Sequence, residues 1–197
     1  QARAYWRRRG LDDKTIVRFG LGYAPNDGQA LYQYLRDKGY NQQELDASGL
    51  FKRSQSGRIY CLFWKRVMTP IFDLRGNIIA FGGRVMDDSK PKYVNSPETL
   101  VYHKSETVFA MQIAKRSASR RFVLCEGYMD VISMQQAGID TAVCACGTAL
   151  TPGQVRIISE YADEVILSYD SDEAGQKATL RSLELFRNSP VKVGVLQ

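Results

Sequence analysis

Arg121-Phe122-Val123-Leu124-Cys125-Glu126-Gly127-Tyr128-Met129-Asp130 decides how this chain is read. The first five residues form a short apolar run of the length and type of a buried strand. Beyond Glu126 and Gly127, residues 128–137 show helical periodicity, and Gly138 stops them. The alternation continues downstream. Residues 141–145 read as a second strand, and Thr151-Pro152 opens a helix with Thr151 as N-cap and proline at the first helical position. Residues 164–169 read as a third strand, 173–186 as a third helix and 191–196 as a fourth strand. This β-α-β-α-β-α-β order predicts an α/β fold, a Rossmann-like parallel sheet covered on both faces. Sites in such sheets lie at the carboxyl ends of the strands.

Working backwards, the pattern changes near residue 120. Residues 1–120 read as a mixed α+β unit, and residues 121–197 as the parallel-sheet unit. Residues 1–48 predict short helices around the break Gly20-Leu21-Gly22-Tyr23-Ala24-Pro25. Residues 59–63, 67–72 and 77–82 predict strands, with a hairpin turn at Asp73-Leu74-Arg75-Gly76-Asn77. The polar, proline-containing stretch 86–105 predicts a loop.

Charge follows the same division. Residues 1–120 hold 21 Lys/Arg against 11 Asp/Glu, a net +10, and residues 121–197 hold 6 against 10, a net −4. Such asymmetry suits a polyanion on one part and something cationic on the other, although drift along the chain explains it as well on composition alone. With 197 residues, 44% hydrophobic and 24% charged, the chain can bury a core without disulfides or metal staples. It has no apolar run of about 18 residues to span a membrane, and QARAYWRRRG contains no signal-peptide core. Cys61, Cys125, Cys144, Cys146 and the single histidine, His103, lack the spacing of a zinc site. Reduced core cysteines in a cytoplasmic protein are the expectation. The abrupt ends of the chain predict a piece of a longer protein.

The acidic residues fall where a parallel sheet places its site. Glu126 ends the first strand, and Asp130 lies one helical turn later. Asp170 and Asp172 follow the third strand, two residues apart, so that an extended segment turns both the same way. Clustered carboxylates repel unless a cation lies between them, and oxygen donors without imidazole favour Mg²⁺ or Mn²⁺. Helix capping is the competing explanation for each acid taken alone.

Glu126-Gly127-Tyr128-Met129-Asp130-Val131, then Gly147-Thr148, then Tyr169-Asp170-Ser171-Asp172-Glu173-Ala174-Gly175 resemble the Toprim fold, and more narrowly the bacterial DnaG-type primases. The resemblance extends upstream through Arg9-Gly10-Leu11, Leu21-Gly22-Tyr23-Ala24-Pro25, Phe81-Gly82-Gly83-Arg84, residues 91–99 and His103-Lys104. It implies synthesis of RNA primers on single-stranded DNA by metal-dependent nucleotidyl transfer in DNA replication. Glu126, Asp170 and Asp172 would hold Mg²⁺ (or Mn²⁺), with Asp130 alongside as a further catalytic acid. Arg84, Lys92, Tyr93, Asn95, Lys104 and Arg66 would bind ribonucleoside triphosphate or template. Gly127 and Gly147 would allow close backbone approach, and Gly175 either the same or ordinary helix packing. Zinc and a replicative helicase would belong to N- and C-terminal domains outside this chain, and a further acidic motif would follow Gln197. The isolated piece is therefore expected to be weakly active or inactive, and no membrane is implied.

Other basic and aromatic residues are more ambiguous. Lys52, Arg53, Arg58 and Lys65, with Tyr60 and Trp64, could extend a template track, while Phe63 reads as core. Leu62 and Trp64 stand where the family usually carries arginine. Arg7-Arg8-Arg9 could contact nucleic acid but reads more safely as an exposed helix end, His103 reads as structural or a minor contributor to the site, and Tyr128 as packing. Two other readings remain open: another Toprim enzyme, such as a topoisomerase or nuclease part, and a non-catalytic single-stranded DNA-binding module.

Overall fold

A computed structural model describes residues 2–147 and 149–196. The N-terminal part begins with helices α1 (Ala2–Arg8) and α2 (Asp13–Arg18), strand β1 (Gly22–Ala24), and helices α3 (Ala30–Asp37) and α4 (Gln42–Ala47). A small antiparallel pair follows, β2 (Phe51–Arg53) with β3 (Ile59–Cys61). Then come β4 (Arg66–Phe72), β5 (Ile78–Val85) and β6 (Tyr93–Asn95). Strands β1-β4-β5-β6 form one antiparallel sheet in that order. The expected turn at 73–77 joins β4 to β5, and Asp73 accepts hydrogen bonds from the Arg75 and Asn77 N–H groups.

The expected loop at 86–105 is not wholly loop. Tyr93–Asn95 pairs with β5, matching Gly82 to Asn95 and Arg84 to Tyr93. Three residues are too few to show a period of two, so the partner strand decides this element.

The second sheet is built as the periodicity predicts. It comprises β8 (Arg121–Cys125), α6 (Tyr128–Gln136), β9 (Ala142–Ala145), α7 (Pro152–Tyr161), β10 (Glu164–Ser168), α8 (Glu173–Phe186) and β11 (Lys192–Val195). Strands β11, β10, β8 and β9 run parallel in that order. The sheet also reaches back beyond residue 121. Strand β7 (Val108–Phe109), just before the short helix α5 (Met111–Ala114), pairs antiparallel with β9 at its edge.

The two parts share a core. Tyr5, Trp6, Leu11, Ile71 and Ala80 from the first pack in one cluster with Cys125, Val131, Ile132 and Cys144 from the second. Gln136 adds a polar tie, accepting from the Asp12 N–H (2.8 Å) and donating to the Gly10 carbonyl (2.8 Å). These contacts hold the α1–α2 corner against α6. All four cysteines are free and buried. Among the described residues no helix is long and apolar enough to cross a membrane.

Candidate active site

Three strand ends meet in one place. After β8 the chain passes Glu126 and enters α6, after β9 it reaches Gly147, and after β10 it reaches Asp170. Facing them is the β5–β6 hairpin. Together they enclose a cleft of about 500 Å³, lined on the acidic side by Glu126, Asp130 and Asp170 and on the other by Arg84, Tyr93 and Asn95.

The acids are held by main-chain donors. Glu126 Oε2 accepts from the Asp170 N–H at 3.2 Å, which ties the ends of β8 and β10 together. Asp130 Oδ2 accepts from the Gly127 N–H at 3.0 Å as the third residue of α6. Burial raises the Asp130 carboxyl pKa from its ordinary value; the Gly127 N–H opposes the rise and the Asp170 charge adds to it. Asp172 departs from the expected geometry. It does not line the cleft with Asp170, because the chain bends at Ser171 and Asp172 becomes the N-cap of α8, accepting from the Gly175 N–H at 2.8 Å. Among the described residues no three His, Cys, Asp or Glu side chains converge closely enough to hold a metal ion between them.

Two of the three glycines expected to allow close approach do so. At Gly147, where φ is +72°, a Cβ would lie 1.9 Å from Asn95 Nδ2. At Gly175 a Cβ would lie 1.9 Å from the Asp170 carbonyl oxygen, so the loop carrying Asp170 wraps directly over the first turn of α8. Gly127 differs, since a Cβ there meets only Asp130 Oδ2 at an ordinary 3.4 Å. Thr148 lies outside the described residues.

On the basic side, Arg84 lies with its guanidinium 5.5 Å from the Tyr5 ring centre and 5.6 Å from that of Tyr93. Its Nε donates to the Tyr93 hydroxyl at 3.1 Å. Lys92 Nζ lies 5.9 Å from the centre of the same Tyr93 ring. Lys92 and Lys104 are not among the residues lining the cleft. Arg66 is also absent from it. It is 6% exposed, and its guanidinium donates to the carbonyls of Pro91 (2.8 Å) and Lys92 (3.3 Å). The spacing of basic residues cannot separate an arginine that meets a ligand from one that clamps a neighbouring loop.

Residues 1–115 match the family described as the N-terminal domain of the DNA primase catalytic core, and residues 123–197 match the Toprim-like family. The chain belongs to the DNA primase catalytic-core family. The DNA primase of Clostridium acetobutylicum is 42% identical over the whole of this chain, which covers 33% of that protein. That of Deinococcus radiodurans is 44% identical over 91% of this chain and 32% of its own length. In structure, the Aquifex aeolicus primase (zinc binding and RNA polymerase domains) matches with a TM-score of 0.90 and 35% identity, covering 98% of this chain and 48% of that one. A DnaG primase catalytic domain bound to ssDNA matches with a TM-score of 0.85 and 38% identity, covering 94% of this chain and 58% of that one. The chain spans about a third of the length of the curated relatives it matches.

In this primase core, Trp6 and Arg9 are among the cleft residues that the sequence reading did not place there. Trp6 of α1 and Arg9, just beyond its end, line the cleft, although the run Arg7-Arg8-Arg9 reads as a solvated helix end. Arg7 does fit that reading, since it pairs with Asp13 at 2.6 Å. Arg9 differs only because the α1–α2 corner docks on α6. The sole local signal was the Arg9-Gly10 step, where Gly10 takes a φ of +84° and turns the chain at the end of the helix. His103 lies outside the cleft, 3.4 Å from Glu98. Tyr128 lines the cleft while its ring packs 4.5 Å from that of Phe109.

Proposed function

We propose that this chain carries the catalytic centre of a DNA primase, which joins ribonucleotides into short RNA primers on a single-stranded DNA template by metal-dependent nucleotidyl transfer. The observation that carries this reading is the cleft in which Glu126, Asp130 and Asp170 face Arg84, Tyr93 and Asn95. Such a site offers hard oxygen donors on one wall and cationic or amide donors on the other. The transferring phosphates of a ribonucleoside triphosphate fit between them.

The donors suit Mg²⁺ or Mn²⁺. Mg²⁺ keeps several waters and takes one or two carboxylates together with phosphate oxygens. An open Glu126–Asp170 pair fits that habit better than a closed cage would. Asp172 would join through the oxygen that does not cap α8. Bound there, the cation would neutralise charge on the transferring phosphoryl group and favour ionisation of the primer 3′-hydroxyl. The chain's own residues do the rest. Arg84 and Lys92 pair with phosphate, Tyr93 orients Arg84, and Lys104 adds cationic charge from the flanking segment. Arg66 serves the site indirectly by clamping the carbonyls that precede Tyr93.

We assign the template to the basic N-terminal unit, residues 1–120, which hands it to the parallel-sheet unit, residues 121–197. The relative bound to ssDNA supports that assignment. Trp64 is 49% exposed beside Lys65, and Tyr60 sits opposite Lys52 in the β2–β3 pair. Such alternation of aromatic and basic side chains binds single strands through stacking and charge. Contact with a replicative helicase would fall to parts of the protein outside this chain.

One observation favours the non-catalytic DNA-binding reading: Asp130 and Asp172 both satisfy helix N-terminal N–H groups. Ribonucleotide incorporation on single-stranded DNA by the full-length protein separates the two. Template-directed RNA should form with wild type and fall sharply with Asp170→Ala and Lys92→Ala. Equal product from all three would overturn the assignment, and so would no product from any.

A further inference from the structure

We infer that Tyr128 is a positioning residue, which sets the Asn95 amide so that its N–H donors face the cleft and bind an oxygen of the incoming ribonucleoside triphosphate. The inference rests on the primase reading for the identity of that ligand.

Asn95 ends β6, and its main chain is fixed against β5. Asn95 pairs with Gly82, and the next residue, Ser96, both donates to the Phe81 carbonyl (2.9 Å) and accepts from the Phe81 N–H through its hydroxyl (3.0 Å). The side chain lies in a slot made by three separate elements. A Cβ on Gly82 of β5 would lie 2.6 Å from Tyr128 Cε2 and 3.1 Å from Asn95 Oδ1. A Cβ on Gly147, beyond β9, would lie 1.9 Å from Asn95 Nδ2. The Tyr128 ring, on α6, closes the third side. The slot therefore fits the amide only while both glycines lack side chains.

Shape alone does not orient an amide, because its oxygen and nitrogen ends are nearly equal in size. A hydrogen-bond partner at one end decides. The Tyr128 hydroxyl donates to Asn95 Oδ1 across a long 3.4 Å. A phenol is an O–H donor at neutral pH, so the hydroxyl can serve as the donor of this bond. The Phe109 ring, 4.5 Å from that of Tyr128, holds the phenol in place. With Oδ1 committed, Nδ2 is the free end. No acceptor among the described residues bonds to it, and Asn95 lines the cleft across from Glu126 and Asp170. The natural partner of a neutral N–H₂ donor there is a phosphate or ribose oxygen.

Tyr128→Phe keeps the ring and removes only the donor. In primer synthesis by the full-length protein, KM for ribonucleoside triphosphate should rise roughly threefold to tenfold, the size of one hydrogen bond, with kcat changing much less. Asn95→Ala should raise KM at least as far. The Tyr128→Phe/Asn95→Ala double variant should be no worse than Asn95→Ala, because one residue acts through the other. Asn95→Asp, which has the same shape but no N–H and adds a negative charge facing the phosphates, should raise KM at least as far as Asn95→Ala. Additive losses in the double variant, an unchanged KM in Tyr128→Phe, or near-normal KM in Asn95→Asp would each overturn the inference. Thermal melts confirm that the variants fold. Failure of the primase reading would be seen separately, as absence of template-directed RNA from wild type, and would overturn both.

Discussion

Gly175→Ala offers a direct test of how the acidic loop is built. The added Cβ would lie 1.9 Å from the Asp170 carbonyl oxygen, 2.7 Å from its carbonyl carbon and 3.1 Å from its nitrogen. Backbone atoms cannot swing aside as a side-chain tip can, so the Asp170 segment must move by about 1 Å or more to relieve the overlap. Such overpacking typically costs about 1–3 kcal/mol. Alanine's better helix propensity returns up to about 1 kcal/mol of that in α8. A net loss of up to about 2 kcal/mol is the expected outcome. The functional loss should be far larger. Asp170 donates its N–H to Glu126 at 3.2 Å, so the displacement opens the bond that holds the Glu126 carboxylate against the Asp170 main chain. A misplacement of about 1 Å in a catalytic constellation can cost on the order of a hundredfold in rate. Urea denaturation followed by circular dichroism gives the stability change, and ribonucleotide incorporation by the full-length protein gives the rate. A variant that keeps wild-type incorporation would refute the claim that this close approach positions Asp170. So would one whose activity loss is fully explained by its unfolded fraction.

Asp172→Asn and Asp172→Ala separate capping from metal binding. Asparagine caps as well as aspartate, so it should leave stability nearly unchanged, whereas alanine should cost about 1 kcal/mol. Both should weaken Mn²⁺ binding in a metal titration, and undiminished affinity in Asp172→Asn would confine the residue to capping. Trp64→Ala should weaken single-stranded DNA binding by roughly tenfold, the worth of one stacked base, without changing the salt slope. Lys52→Ala should instead reduce that slope in the same fluorescence-anisotropy titration, and an unchanged slope would remove Lys52 from the template track. Acid should destabilise the N-terminal helices in a defined way. The Asp12 carboxylate caps α2, and its bond to the Thr15 N–H (2.7 Å) holds its pKa below the ordinary value. A depressed native pKa contributes stability above the unfolded value of about 3.9 and loses it as pH falls through the native one. Asp12→Asn should therefore flatten the acid limb of the urea-midpoint profile below about pH 4, and profiles of identical slope would exclude this contribution.

The order of the parallel-sheet unit was readable from the chain because each of its elements is long enough to show its own period. Residues 173–186 hold a full helical pattern behind a capping aspartate and became α8 without change. The carboxylates at 126 and 170 were readable for the same reason, since a parallel sheet places strand ends together whatever their sequence. The ordered acidic and glycine motifs added the family. What the chain could not show was every feature decided by a distant partner. Strands β6 and β7 hold three and two residues and exist only because β5 and β9 offer open edges to pair with. Arg9 and Arg66 carry the same charge, and the sequence around neither shows what it faces. One lines the cleft and the other is buried against two carbonyls, because docking of α1 on α6 and the course of residues 91–92 place them there. Asp172 looked like a ligand equivalent to Asp170 until the bend at Ser171 committed one of its oxygens to α8. Charge and motif are written in the residues, but which oxygen or guanidinium faces the cleft depends on long-range packing, and tertiary structure alone decides it.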